Sequence, residues 1–138
     1  MIYMLDTNVM IDLSRRRPTP IRERIERARV TGNSLILSSI TYFELQHGLA
    51  RTKHREQNAA ILEGFIFAAF EIVPFIDEDA VIAGELRWSL ESQGRRIGPY
   101  DLLLAAQALR TGATLVTANV PEFSRVRDLA WEDWTRAD

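Results

Sequence analysis

Short apolar runs alternate along the chain with longer segments in which apolar residues recur every three or four positions. The short runs are bounded by turn or cap residues, which is typical of buried strands. We therefore expect four such strands, and a short edge strand near the end of the chain. They are Ile2–Leu5, Leu35–Leu37, Ile72–Phe75 and Thr114–Val116, with the edge strand at Leu129–Trp131.

The longer segments have the apolar spacing of helices that bury one face. Gly32, Gly94 and Gly112 stand where three of these helices would stop. Because strands and helices alternate, we predict an α/β fold with a central parallel sheet of four to five strands and helices on both faces. The helical segments fall around 8–14, 20–31, 41–52, 56–70, 78–93 and 100–111.

Length and composition indicate an ordinary globular protein. At 138 residues, with 46% hydrophobic and 26% charged residues, the chain is expected to form a single domain over 1–138. The absence of cysteine excludes disulfides, thiolate zinc sites and a cysteine nucleophile. The first apolar run is interrupted at Asp6 and Asp12, so we expect neither a signal peptide nor a membrane span, and a cytoplasmic location.

Charge is distributed unevenly although the net charge is only −2. Residues 1–69 hold ten Lys and Arg against seven Asp and Glu, whereas residues 70–138 hold seven against twelve. The cations are either a solvated helical surface or a surface for a polyanion. Those that could hold a nucleic-acid backbone are Arg15, Arg16, Arg17, Arg51, Lys53, Arg55, Arg95 and Arg96.

Four polar residues lie where the predicted strands end or the next helices begin. Asp6 directly follows the first strand, Glu44 and Asp101 lie near the start of helical segments, and Asn119 follows the fourth strand. Ligands of parallel α/β sheets bind beyond the carboxyl ends of the strands. Each of the four could instead be a helix cap or a first-turn residue. Their shared edge favours a common site.

Three carboxylates at one edge repel one another, so the arrangement needs raised pKa values or a bound cation. Oxygen ligands in a chain without cysteine favour a hard ion such as Mg²⁺ or Mn²⁺. Such an ion could activate a water and neutralise charge on a phosphodiester. A metal-dependent phosphodiesterase is therefore the leading hypothesis from the residues.

Four segments together resemble the PIN-domain family, and specifically the VapC-type toxins of prokaryotic toxin–antitoxin pairs. The segments are LDTN at 5–8, SITYFEL at 39–45, IGPYDLLLAAQAL at 97–109 and TLVTANVPEFSRV at 114–126. The resemblance implies a Mg²⁺- or Mn²⁺-dependent endoribonuclease, with tRNA a frequent substrate. It also implies a cognate VapB-like antitoxin that holds the enzyme inactive.

By position, Asp6, Glu44 and Asp101 match the three acidic residues of the family. The resemblance implies that Asp6 and Asp101 bind the metal, and that Glu44 binds it or orients its water. Asn119 stands where the family often has an aspartate, and would position water or a phosphate oxygen. Its neutral oxygen would hold a second ion less tightly unless Glu122 reaches the site. Thr7 matches a hydroxyl residue that commonly follows the first carboxylate.

The resemblance also implies assemblies. Family antitoxins lay a C-terminal segment across the toxin groove, where a basic side chain could compete with the metal. We expect a homodimer, with the apolar helix Ala59–Phe70 at or near its interface, and a toxin–antitoxin hetero-oligomer. A helix buried by its neighbours within one chain would have the same apolar pattern.

Two other function classes are weighed against the nuclease. A catalytically inactive PIN-like module that binds RNA or protein would be expected to have lost an acidic residue, and all three are present. A phosphatase with an aspartyl nucleophile would have a second aspartate at position 8, where this chain has Asn8. We expect Trp88, Trp131 and Trp134 to pack in the fold rather than to stack on bases.

Overall fold

A computed structural model of the chain describes residues 1–14 and 20–136. Strands and helices alternate along these residues. The strands are β1 Ile2–Leu5, β2 Ser34–Ser38, β3 Glu71–Val73, β4 Thr114–Val116 and β5 Trp131–Glu132. The helices are α1 Thr7–Ser14, α2 Pro20–Val30, α3 Ser39–Ala50, α4 Arg55–Ala69, α5 Asp77–Ser92, α6 Pro99–Thr111 and α7 Val120–Phe123.

The five strands form one sheet in the order β3-β2-β1-β4-β5, and every neighbouring pair is parallel. In the central strand β1, Tyr3 is aligned with Leu35 of β2 and with Thr114 of β4. Since all strands run the same way, their carboxyl ends lie along one edge of the sheet. The predicted α/β class and parallel sheet are confirmed.

Helices cover both faces of the sheet, as the strand pattern predicts. Successive residues of a strand point to opposite faces, so Leu5 and Val116 join one buried cluster, whereas Met4 and Leu115 join the other. The first cluster packs against α1, α2, α3 and α4, and the second against α5, α6 and α7. The sheet is therefore the middle layer of three.

Three strands differ in extent from the sequence prediction. β2 is Ser34–Ser38, one residue longer at each end than the predicted Leu35–Leu37. β3 ends at Val73 instead of Phe75, because Pro74 has no N–H for the ladder. The Phe75 N–H instead donates to Ser39 Oγ at 2.9 Å. The edge strand is Trp131–Glu132 rather than Leu129–Trp131, since Leu115 and Val116 of β4 align with these two residues.

Two smaller expectations have different outcomes. Trp134 packs in the core against Tyr3, with ring centroids 4.9 Å apart, as predicted. Trp88 is 72% exposed, so the packing prediction is wrong for this residue, which lies on the α5 face opposite the buried Ala83 and Leu90.

In the described part of the chain, no helix is long and apolar enough to cross a membrane.

A buried ion pair joins α5 to α6. The Asp79 carboxylate is fully buried and is bound by two nitrogens of Arg110: Nε donates to Oδ1, and Nη2 to Oδ2 at 3.2 Å. Asp79 Oδ2 also accepts the Ile76 N–H at 2.9 Å, which caps α5. These bonds fix α5 against α6, the helix whose first turn contains Asp101.

We predict that Arg110→Met destabilises the protein by about 3 kcal/mol, because it leaves the buried Asp79 carboxylate without its cation. Arg87→Met is the matched control, since it breaks the Arg87–Glu91 pair, which lies at the surface of α5. Urea denaturation of both variants measures the difference. Equal midpoints for the two variants would contradict a structural role of the buried pair.

Candidate active site

Asp6 lies directly after the central strand β1 and is only 3% exposed. Its Oδ1 accepts the Val9 N–H at 2.8 Å, so the side chain caps α1, as the capping alternative proposes. Its Oδ2 accepts the Thr117 hydroxyl at 2.6 Å. Asp6 is therefore both a helix cap and a carboxylate held at the carboxyl edge of the sheet.

Glu44 faces the end of β1 from helix α3. Its Oε1 accepts the hydroxyl of Thr7, the residue after Asp6, at 2.7 Å. The capping alternative for Glu44 is wrong, because Ser38 caps α3 through the Ile40 N–H at 3.0 Å. The Glu44 carboxylate is thus directed to the site instead of to its own helix.

Asp101, Asn119 and Glu122 form one contact group. Asn119 Nδ2 donates to Asp101 Oδ2 at 3.2 Å and to Glu122 Oε2 at 2.7 Å. The Gly98 N–H donates to Glu122 Oε1 at 3.3 Å, immediately before α6 begins. Glu122 therefore reaches the candidate site, while the side chain of Asn119 does not cap α7.

Thr117 connects the two halves of the site, and the sequence reasoning did not single it out. Its hydroxyl donates to Asp6 and accepts the Asn119 N–H at 2.9 Å. No local sequence signal identifies it, because only the alignment of Val116 with Leu5 brings the residues that follow β4 and β1 side by side. The buried Thr117 thereby couples the first carboxylate to the loop that contains Asn119.

Burial and mutual charge raise two carboxyl pKa values. Burial raises the pKa of Asp6, against the hydrogen bonds from Thr117 and Val9. The pKa of Asp101 rises to about 7, first because of burial, then through a hydrogen bond with Glu122 and the charges of Glu122, Asp6 and Glu44. The same hydrogen bond lowers the pKa of Glu122. The acidic groups of the site are therefore close enough to repel one another.

The donor set is chemically suited to a hard cation, since carboxylate oxygens are typical Mg²⁺ and Mn²⁺ ligands. Within residues 1–14 and 20–136, however, no three acidic or histidine side chains are grouped tightly enough to hold an ion. Each carboxylate is instead hydrogen-bonded to a hydroxyl or amide neighbour. The type of donor and the mutual repulsion of the carboxylates thus suit a cation, whereas their present arrangement does not group three of them around one ion.

An apolar groove of about 1050 Å³ adjoins the acidic edge. It lies among α1, α2, α3 and α4, and Glu44 forms part of its wall. The apolar residues that line it are Met10, Ile11, Leu13, Leu45, Leu49, Ile61, Leu62 and Phe65. The acidic site is thus continuous with a surface that could take an apolar chain segment.

The predicted backbone-binding cations are exposed where the structure describes them. Arg51, Lys53 and Arg55 lie between α3 and the start of α4, and Arg95 and Arg96 lie between α5 and α6. The remaining group, Arg15–Arg17, lies outside the described residues.

The chain is similar along most of its length to known proteins. A family model of the PIN domain matches residues 3–129. Ribonuclease VapC2 of Rickettsia felis is 39% identical over 136 residues, covering 99% of this chain and 100% of that protein. The tRNA(fMet)-specific endonuclease VapC of Shigella flexneri is 35% identical, covering 96% and 98% of the two chains.

Solved structures agree with the sequence comparison. The crystal structure of VapBC2 from Rickettsia felis, bound to a DNA fragment from their promoter, contains a chain with a TM-score of 0.90 and 39% identity, covering 97% and 99%. The DNA-bound VapBC structure from Salmonella typhimurium has a TM-score of 0.88 at 36% identity, covering 97% and 98%. Together with the fold and the acidic edge, these matches show that the chain belongs to the PIN domain family, among the VapC proteins.

Proposed function

We propose that the protein is a metal-dependent endoribonuclease that hydrolyses phosphodiester bonds of RNA, with tRNA as its substrate class. The observation that carries the proposal is the set of carboxylates of Asp6, Glu44 and Asp101 at the carboxyl edge of the sheet. The relatives named as ribonucleases, one of them specific for tRNA(fMet), support the reaction and the substrate class. The same names argue against an inactive binding module.

In this proposal Asp6 and Asp101 bind Mg²⁺ or Mn²⁺, and Glu44 binds the ion or orients its water. When bound, the ion lowers the pKa of a water and neutralises charge that develops on the phosphodiester. Thr117 holds the Asp6 carboxylate in place through a 2.6 Å hydrogen bond. Asn119 donates to both Asp101 and Glu122, and in this proposal it positions water or a phosphate oxygen.

We predict that purified protein free of antitoxin cuts cellular RNA into discrete fragments with Mg²⁺ or Mn²⁺ and not with EDTA. Asp6→Asn and Asp101→Asn should each slow cleavage about 100-fold or more, because each removes a charged ligand. Gel electrophoresis and sequencing of the fragment ends provide the measurement.

The matched control for this experiment is Asp77→Asn, which neutralises an exposed carboxylate in the first turn of α5. It should cleave like the wild type. Asp6→Asn keeps an oxygen that can accept the Val9 N–H, so its loss of activity would not be a loss of the α1 cap. Intact RNA with the folded wild type under every metal condition would overturn the proposed function.

Thr117 provides a second prediction, since its hydroxyl satisfies a buried carboxylate. Thr117→Val keeps the shape of the side chain but removes the donor, so we expect a loss of about 1–3 kcal/mol in the free energy of unfolding and slower cleavage. Thr117→Ser keeps the hydroxyl and should retain most of both. Denaturation and cleavage assays of Thr117→Val and Thr117→Ser test this role of the hydroxyl. A denaturation midpoint of Thr117→Val equal to that of the wild type would contradict the role.

We further propose that a VapB-like antitoxin segment occupies the apolar groove, forming a toxin–antitoxin hetero-oligomer. The VapBC structures similar to this chain support a partner of this kind. The groove is lined by apolar residues of α1, α3 and α4, with a cation, Arg22, from α2 and a carboxylate, Glu44, from α3. It therefore suits a segment whose apolar residues lie along the groove and whose basic side chain reaches Glu44. A cation at Glu44 would occupy the place proposed for the metal.

Ile61→Asp is expected to abolish capture and neutralisation by the antitoxin encoded in the neighbouring reading frame, because it places a charge in the apolar groove. Ile61 is exposed, so the fold should tolerate the change. Val81→Asp, at an exposed apolar position of α5, is the control. The two proteins would be co-expressed, co-purified and assayed for RNA cleavage. If Ile61→Asp still captures the antitoxin normally, the antitoxin does not bind in this groove.

We also propose that the protein forms a homodimer and that its interface lies on α4. Ile66 is fully buried within the chain, so it is not available to a second copy. Phe67 is exposed beside Tyr42, with ring centroids 6.5 Å apart, and Ile61 faces the groove. Of the apolar residues on this helix, Phe67 is the one we assign to the dimer.

A further inference from the structure

Two exposed aromatic rings flank the acidic site. Phe43 of α3 directly precedes Glu44, and Tyr100 of α6 directly precedes Asp101. Their ring centroids are 5.9 Å apart with planes inclined by 59°, so the pair spans the gap between the two helices. Phe43 is 51% exposed and Tyr100 is 46% exposed.

The exposure of both rings distinguishes the pair from the other ring contacts in the described residues, since in the Tyr42–Phe67 contact only Phe67 is exposed. Trp134 and Phe70, each in contact with another ring, are buried, and Tyr42 is partly buried against Phe67. Phe43 and Tyr100 contact each other while each leaves much of its surface open to solvent. Neither ring belongs to the two buried clusters on the sheet faces. Core packing therefore does not account for them.

We propose that Phe43 and Tyr100 form a stacking platform for a nucleobase of the RNA, next to the phosphodiester that is cut. This inference rests on the proposed function. Single-stranded RNA is commonly held by bases that stack on aromatic side chains, and any base offers a face for this contact. The platform would thus position the RNA without selecting a particular sequence.

The charge of the surrounding groups favours a base as the occupant. The residues that follow the two rings are the carboxylates Glu44 and Asp101, which repel the phosphates of RNA. An aromatic face beside them offers binding that does not depend on charge.

A second copy of the chain suits the pair less well. Covering these rings with protein would also cover Glu44 and Asp101, which removes carboxylates from water at high cost and closes the site to substrate. A stable protein interface also needs about 800 Å² on each partner, far more than two half-exposed rings provide. The exposed surface of the two rings is instead comparable in size to one nucleobase.

The test compares variants that remove a ring with variants that keep one. Phe43→Leu and Tyr100→Leu lose the aromatic face, whereas Phe43→Tyr and Tyr100→Phe retain it. Trp88→Leu is the control, since this exposed ring lies on the α5 face opposite the residues buried in the fold. Circular dichroism and light scattering verify the fold and the mass of each variant.

Cleavage kinetics should separate binding from chemistry. Each leucine variant should raise KM about tenfold with kcat near the wild-type value, because the stack is made equally in the ground and transition states. The ring-retaining variants and Trp88→Leu should have wild-type kinetics. A fall in kcat without a change in KM would overturn the platform.

Fluorescence provides a readout that a structural role would not change. A single-stranded RNA with 2-aminopurine placed in turn at each position around the cut is added to protein with Asp6→Asn, which binds without cutting. We expect quenching at one position, lost with Phe43→Leu or Tyr100→Leu and kept with the ring-retaining variants.

The outcomes separate this proposal from the proposed function. If the wild type cleaves RNA but the leucine variants keep its KM and its quenching, the platform is wrong and the nuclease stands. A leucine variant that changes mass and leaves quenching intact would assign the pair to a contact between copies, and would also overturn the platform. If the folded wild type neither binds nor cuts RNA, the proposed function itself fails.

Discussion

Repulsion among carboxylates at one edge of a parallel sheet is the constraint on which the site depends. Because the strands share one direction, Asp6 after β1, Glu44 in the helix after β2 and Asp101 at the start of the helix before β4 come to the same edge. The pKa of Asp101 rises to about 7 under burial, the contact with Glu122 and the neighbouring charges. Hydroxyl and amide donors offset part of this cost: Thr117 on Asp6, Thr7 on Glu44, and Asn119 on Asp101.

The rest of the fold keeps these like charges in place. α6 holds Asp101, and it is bound at its far end by the Asp79–Arg110 pair. Gln107, in the middle of α6, donates from Nε2 to the Val73 carbonyl at 2.9 Å and the Pro74 carbonyl at 3.3 Å. These bonds satisfy carbonyls at the end of β3, where Pro74 stops the ladder. Buried polar contacts of this kind fix the helix relative to the sheet, which apolar packing alone would do less specifically.

The fold was largely predictable because its signals are local. Apolar runs and glycine stops gave the strand and helix order, and Gly112 does end α6 in the left-handed conformation, with φ of 69°. The strand ends were less accurate, since Pro74 removed the last ladder contacts of β3 and the alignment with β4 set the limits of β5. Such limits depend on a neighbouring strand that the local sequence does not contain.

The acidic residues of the site could be predicted from their positions after strands, but their partners could not. Thr117 lies 111 residues from Asp6 in sequence, and only the register of β1 with β4 brings them together. Similarly, the role of Glu44 was ambiguous until Ser38 proved to be the cap of α3. Exposure, which distinguishes Phe43 and Tyr100 from core aromatics, has no signature in an apolar residue at helical spacing.

Helix α3 joins the two proposed binding surfaces, because Glu44 lines the groove and the preceding residue, Phe43, belongs to the aromatic pair. On one side of α3, Leu45 and Leu49 line the apolar groove. On its other side, Phe43 contacts Tyr100. An antitoxin segment that reaches Glu44 along the groove would therefore meet RNA stacked on the aromatic pair at the same carboxylate. Inhibition would then need no change of fold, since a cation at Glu44 removes the charge that a metal requires and occupies the space beside the base.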